Sequence, residues 1–309
     1  MWKPYFFVFT SFLPHIVAIS YIFEETDIFA TKRQKCQFHF IYKTDIIGIV
    51  VFWRFVIMKI LLLNGSMRGN NSSSLKVAHA FVQGMVEENG PDNTEVTEIN
   101  LREKRIEHCM GCFCCWKVNK GECVIHDDMD EIRRLVMESD VIIECFPLYF
   151  FGLPSKMKAF MDRMISFVSE YRAHNGDDDT GRFLHEMRYP ELMEKKLVLV
   201  SACGYEETVD CYDSIKVQFN QICGPEGYTL ITAPQGGMLA EKTLENKVKR
   251  YLTKFTDAGH EFVREGKVSP ETIAKLEVPM LGHNTFEKVI NLNWDDPNVG
   301  PYGKHGGNA

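Results

Sequence analysis

The chain predicts an α/β protein: a doubly wound, five-stranded parallel sheet with helices on both faces. Five apolar runs of strand length carry that expectation, Ile60 to Leu63, Val96 to Ile99, Val141 to Phe146, Leu197 to Cys203 and Tyr228 to Ala233. Several lack polar alternation, the pattern of strands buried on both faces. Stretches of helical periodicity separate them, so the order is strand then helix, five times over. Right-handed crossovers between such strands give a parallel sheet whose ligands bind at the carboxyl ends.

Taken in order, the first run stops at Asn64-Gly65 and a Ser/Arg/Asn loop leads into a helical segment on which Val77, Phe81 and Met85 share a face. Backbone N–H groups at a helix start have no intrahelical partner, and the helix dipole favours negative charge there. This strand-loop-helix unit therefore predicts an anion cradle. The hydroxyls of Ser66, Ser72, Ser73 and Ser74 add donors, and Arg68 supplies charge. After the second run, Asp127 or Asp128 caps a helix through Ser139, with Asp130 and Glu131 in its first turn and Ile132, Leu135 and Val136 on its apolar face. The third run leads to Ser155, a cap for Lys156 to Val168. Later helices carry Ile215, Phe219 and Ile222, then Leu244, Val248, Tyr251 and Phe255. The polar, glycine-containing stretch Ala173 to Pro190 reads as a surface excursion.

The two ends read differently. Residues 1–57 are crowded with aromatic and β-branched residues, and Tyr5 to Phe23 is apolar enough for a membrane segment or signal peptide. Pro14 and His15 interrupt it, no small-residue cleavage site follows, and Met58 opens MKILLLNGS. We expect 1–57 to be an extension outside the working protein, with an anchor or a folded accessory segment as the other readings, 58–266 to be the sheet domain, and 267–309 to be a C-terminal arm with a short helix around Phe286 to Leu292.

Of the 309 residues, 45% are hydrophobic and 25% charged, a globular composition. A net charge of −7 argues against a nucleic-acid surface, which needs clustered Lys and Arg. A small-molecule partner is expected. The ten cysteines, four of them between Cys109 and Cys115, lack the spread of a secreted disulfide framework, so a cytoplasmic, reducing location is expected.

Three strand-end loops then converge. The first is Asn64 to Ser74. The second, Pro147, Leu148, Tyr149, Phe150, Phe151 and Gly152, has the aromatic and glycine content to receive a flat ring against backbone. The third is Ser201, Ala202, Cys203, Gly204 and Tyr205. One loop for phosphate and two for a ring make a mononucleotide site.

The patterns GSxRxxxxSSSL, PLYFFGLPSKMKAFMDR and SACG, in this order over Met58 to Phe262, resemble the NAD(P)H-dependent FMN reductase and iron-sulfur flavoprotein branch of the flavodoxin-like superfamily. The resemblance implies strand order 2-1-3-4-5 and FMN as cofactor. It puts Ser66, Arg68, Ser72, Ser73 and Ser74 on the phosphate, Pro147, Leu148, Tyr149, Phe150 and Gly152 along the ribityl chain and isoalloxazine, and Ser201, Ala202, Cys203 and Gly204 on the other side. The serines at 72 and 73 stand where relatives often have Asn-Thr. It further implies hydride transfer from NADH or NADPH, a small acceptor such as a flavin or quinone, and a homodimer or homotetramer. An electron relay between protein partners is the alternative, and a flavin-free interaction module a third reading. No catalytic side chain is required, because the cofactor carries the chemistry. No separate dinucleotide fingerprint is present.

Cys109, Cys112 and Cys115 form a CxxCxxC run, with Cys123 further on and Cys114 as an extra thiol. Compact thiolate spacing suits an iron-sulfur cluster, and the iron-sulfur flavoproteins use such a pattern. Three readings stand: a [4Fe-4S] cluster on Cys109, Cys112, Cys115 and Cys123; free or redox-active thiols; or zinc or a structural role. His108 and His126 flank the loop and are expected to be solvated.

Overall fold

The computed structural model describes residues 57–170 and 185–295. The readings made for 1–57, Ile57 apart, and for most of the excursion between Ala173 and Pro190, lie outside them. Five parallel strands form one sheet, β1 (Met58–Asn64), β2 (Thr94–Asn100), β3 (Val141–Pro147), β4 (Lys196–Ala202) and β5 (Tyr228–Ala233), in the order β2-β1-β3-β4-β5. This is the architecture and the order expected from the sequence.

Strand alternation splits the core between the two faces. Ile60 and Leu62, Val141, Ile143 and Cys145, and Val198 and Val200 face α1 (Ser73–Asn89) and the C-terminal helices. Leu61, Leu63, Phe146 and Leu199 face the other side. That second face is covered by α3 (Met129–Glu138), α4 (Ser155–Arg163) and α5 (Asp213–Cys223), while α2 (Cys114–Lys117) is a single turn in the cysteine loop. On the first face α6 (Glu245–Glu265) packs on α1, with Val77, Phe81 and Met85 fully buried as their shared face predicts. The helices touch backbone to backbone: a Cβ on Gly84 would lie 1.9 Å from the Thr256 carbonyl oxygen, and one on Gly259 2.0 Å from that of Phe81. Only glycine fits such an approach.

Several local expectations are corrected. Ile222 is 56% exposed, because α5 turns Ile215 and Phe219 inward and the adjacent Cys223 takes the third position toward the sheet. Ser155 opens α4 without capping it: Pro154 is the capping position, and α4 ends at Arg163, with a 3₁₀ turn from Met164 to Phe167. At α3 the Asp128 side chain bonds the Arg105 amide (2.7 Å), and Asp127 accepts from Met129 N (3.0 Å). Beyond Gly266, α7 (Pro270–Leu276) starts at a Ser269 cap that the sequence reading missed, and α8 (His283–Asp295) is longer than the helix expected there. Tyr251 Oη donates to the Leu276 carbonyl (2.8 Å), which fastens α7 to α6. Among the described residues no helix is long and apolar enough to cross a membrane.

Candidate functional site

The loop after β1 is shaped by side chains that mimic backbone. Asn64, fully buried, donates through Nδ2 to Gly69 O (3.2 Å) and to Asn100 Oδ1 (2.7 Å), and its Oδ1 accepts from Ser66 N (3.0 Å). Ser66 Oγ accepts from Arg68 N (3.2 Å), and a 3₁₀ turn, Gly69–Asn71, delivers the chain to Ser72. Ser72 caps α1, its Oγ accepting from Leu75 N (3.3 Å). The amides of Ser73 and Ser74 fall in the first turn, where no intrahelical carbonyl reaches them. The Ser73 hydroxyl is buried and has no hydrogen-bond partner among the described residues. A buried donor left over beside two first-turn amides fits the oxygens of a phosphate monoester.

The other two loops are drawn onto this one. Gly65 N donates to the Cys145 carbonyl at the end of β3 (2.8 Å), and a Cβ at Gly65 would sit 2.8 Å from Met157 Cε, so α4 presses directly under the first loop. The buried Ser74 Oγ accepts from Ala202 N (3.2 Å), while Leu148 N donates to Ala202 O (3.2 Å). One residue of β4 therefore ties all three predicted loops together. Pro147 and Leu148 are half-buried.

The tip of the second loop is a tight turn. Tyr149 and Gly152 exchange backbone hydrogen bonds (3.2 and 2.9 Å), with Phe150 and Phe151 between them at φ of 52° and 61°. Left-handed backbone costs a bulky residue about 1–2 kcal/mol. Phe150 is nonetheless fully exposed, and Phe151 stacks on Tyr205 of the third loop at 5.6 Å and 19°. The carbonyl of Phe151 accepts from Ser214 Oγ.

The third loop offers backbone more than side chain. Ser201 and Cys203 point into the core on the α5 side and are buried, while Gly204 and Tyr205 are exposed. Burial pushes the Cys203 thiol up. The loop after β5, which the sequence reading overlooked, supports it: Gln235 N bonds Tyr205 O (2.8 Å), Gly236 N bonds Cys203 O (2.6 Å), and the buried Gln235 side chain exchanges two 2.8 Å bonds with the Leu281 backbone. The signal available was Pro-Gln-Gly-Gly directly after an apolar run.

The cysteine loop forms a separate pocket. Cys109, Cys112, Cys115 and Cys123 line it together with Gly111, Phe113, Ile125 and Arg163; Cys114 does not. All five thiols are free. Phe113 at φ 55° turns the chain into α2, and Trp116 anchors that turn by donating from Nε1 to the Ile165 carbonyl (2.9 Å). Burial, followed by the nearby Cys123, Cys109 and Cys112, pushes the Cys115 thiol up, whereas hydrogen bonds from Cys114 lower Cys112. Four cysteines lining one pocket fit the ligand set of a cubane, which is wider than an ion. Among the described residues no three His, Cys, Asp or Glu side chains stand close enough to hold a single ion. His108 is exposed, and His126, also exposed, pairs with Asp130 at 3.1 Å.

Arg163, to which the sequence reading assigns no role, is buried in this pocket's wall. Its Nη1 and Nη2 meet Asp127 Oδ2 and Oδ1 at 2.7 and 3.1 Å, a bidentate fork with both side chains almost wholly buried. Burial by itself raises the Asp127 carboxyl, but the guanidinium and the Glu107 and Met129 amides outweigh it and hold Asp127 below the usual carboxylate range.

A profile described as the flavodoxin-like fold matches residues 58–230. An iron-sulfur flavoprotein of Archaeoglobus fulgidus is 39% identical over 112 residues, 36% of this chain and 47% of that one. An iron-sulfur flavoprotein of Methanocaldococcus jannaschii is 36% identical over 106 residues, 34% of this chain and 51% of that one. The chain thus spans about half the length of the curated relatives it matches. Among solved structures, an FMN-dependent NADH-azoreductase of Bacillus anthracis in complex with FMN aligns with a TM-score of 0.49 at 19% identity, over 67% of this chain and all of that one.

Proposed function

Because the chain belongs to the flavodoxin-like fold family, we propose that it binds FMN across the three convergent loops and works as an NAD(P)H-dependent oxidoreductase. The observation that carries this reading is Ala202: its N–H bonds the Ser74 hydroxyl and its carbonyl the Leu148 amide, so the phosphate-type and ring-type loops are held together at one residue. Ser66, Arg68, Ser72, Ser73 and Ser74 would hold the phosphate. Pro147, Leu148, Tyr149, Phe150 and Gly152 would line one side of the ring system, and the backbone of Ser201, Ala202, Cys203 and Gly204 the other. Bound there, FMN supplies two-electron acceptance from a nicotinamide and onward delivery to a flavin, quinone or other small oxidant. The chain's own part is to fix the phosphate with donors that need no reorganisation and to keep the ring against dry backbone. Tyr149, Phe150 and Tyr205, exposed beside that surface, offer aromatic faces for the nicotinamide.

A second reading is supported by the cysteine pocket. The Cys109, Cys112, Cys115 and Cys123 set suits a [4Fe-4S] cluster, and with it the protein would relay single electrons between protein partners. Cytoplasmic location and a homodimer or homotetramer belong to both readings. Titrating FMN into flavin-free protein and following the quenching of flavin fluorescence tests the first. Saturation at one FMN per chain, weakened by Ser73→Ala, supports it; unquenched fluorescence would defeat it.

A further inference from the structure

The four pocket cysteines come from two separate stretches of chain, Cys109–Cys115 and Cys123, and one buried side chain holds both. Arg163 Nη1 donates to the carbonyl of Glu107 (3.0 Å), two residues before Cys109, and Nη2 to that of Ile125 (2.9 Å), two residues after Cys123. Asp127 closes the clamp, accepting the fork of Arg163 and the Glu107 amide (2.8 Å). Four of these five bonds use up the N–H groups of both terminal nitrogens; the buried Nε–H takes part in none of them, and the sulfur the guanidinium meets is that of Cys123. Arg163 lines the pocket beside Cys123, so this donor and a desolvated positive charge stand where thiolates would gather.

From this we infer that Arg163, locked by Asp127, is the positioning residue of the four-cysteine pocket: it brings the two cysteine arms together and keeps one N–H for sulfur. The inference rests on the reading of that pocket as a thiolate-bound cluster site, and it extends that reading to a residue that ligates nothing. Outer residues that orient ligands and donate to cluster sulfurs set both retention and potential of the metal group. The same helix joins the two sites. α4 opens directly behind the second loop, packs Met157 under Gly65, and ends at Arg163; its nine residues rise roughly 13 Å. A change at Arg163 is therefore felt at the cysteines before it is felt at the flavin loops.

The test compares full-length wild type, Arg163→Gln and Arg163→Lys. Each is reconstituted anaerobically with FMN, ferrous iron and sulfide, then assayed for bound iron, bound FMN and the cluster's midpoint potential. In parallel, the metal-free proteins are titrated with phenylarsine oxide, which bridges neighbouring thiols. Arg163→Gln should keep its FMN, lose at least fivefold in iron and bind the arsenical at least tenfold more weakly. Arg163→Lys retains the charge without the fork or the Nε–H; it should recover part of the iron and show a more negative midpoint. Wild-type iron, arsenical affinity and midpoint in Arg163→Gln would overturn the inference, as would parallel loss of FMN and iron in both variants, the mark of a merely structural role. If wild type takes up no iron the cluster reading fails, and the arsenical comparison still decides whether Arg163 gathers the thiols.

Discussion

Glu144 offers a prediction with a magnitude. It sits in the middle of β3, in register with Leu63 and Leu199, with its Oε2 buried and without a hydrogen-bond partner among the described residues. Burial raises its pKa from 4.5 to about 7. The folded protein therefore holds a proton there that the unfolded chain releases above pH 4.5. Stability from this group is fully present below pH 4.5 and declines as pH rises to about 7, because the native state binds more protons over that window. The gap between 4.5 and about 7, at about 1.36 kcal/mol per unit, makes the decline about 3 kcal/mol. Glu144→Gln keeps the shape and removes the titration. Its buried amide adds a penalty that does not vary with pH, so the slope, and not the offset, is diagnostic. Asp127 and Glu261, which titrate with the opposite sign, are present in both proteins and cancel. Urea unfolding of both proteins between pH 4.5 and 8 measures the difference. A wild-type decline that persists undiminished in Glu144→Gln would refute the argument.

Other outcomes follow from the loops. Ser74→Ala removes the acceptor for the buried Ala202 amide, a loss of about 1–3 kcal/mol in urea unfolding, and it should weaken FMN binding because the first and third loops separate. Phe150→Gly relieves left-handed backbone at an exposed site and should stabilise the protein by about 1 kcal/mol, while raising KM for the nicotinamide if Phe150 stacks on it; a lower Tm would contradict the strain argument.

The sheet was legible because the central strand runs announce themselves by burial on both faces, and Leu61, Leu63, Val198 and Val200 sit where such runs must. Helix faces were read well in α1, where Val77, Phe81 and Met85 are all buried, and failed at Ile222 near the end of α5. The loops were legible as compositions but not as orientations. Strand alternation carried past Ala202 turns Cys203 into the core, a consequence available from period two alone. The Arg163–Asp127 clamp joins residues 36 positions apart, and no local pattern announces a partner at that range. Glu144 was hidden inside an apolar run, where a single carboxylate looks like noise until the strand is seen to be covered on both sides. The strained turn at Phe150 and Phe151 also defied the sequence, since aromatic residues seldom accept left-handed backbone.

The central proposal is that this chain moves reducing equivalents from a nicotinamide through FMN. An anaerobic absorbance spectrum of the FMN-loaded protein, titrated with NADPH and then with NADH, addresses it most directly. The account predicts bleaching of the flavin band near stoichiometric nicotinamide, with broad visible absorbance besides if the cysteine pocket carries a cluster. A flavin band unchanged by either nicotinamide, in protein that dithionite reduces normally, would contradict it.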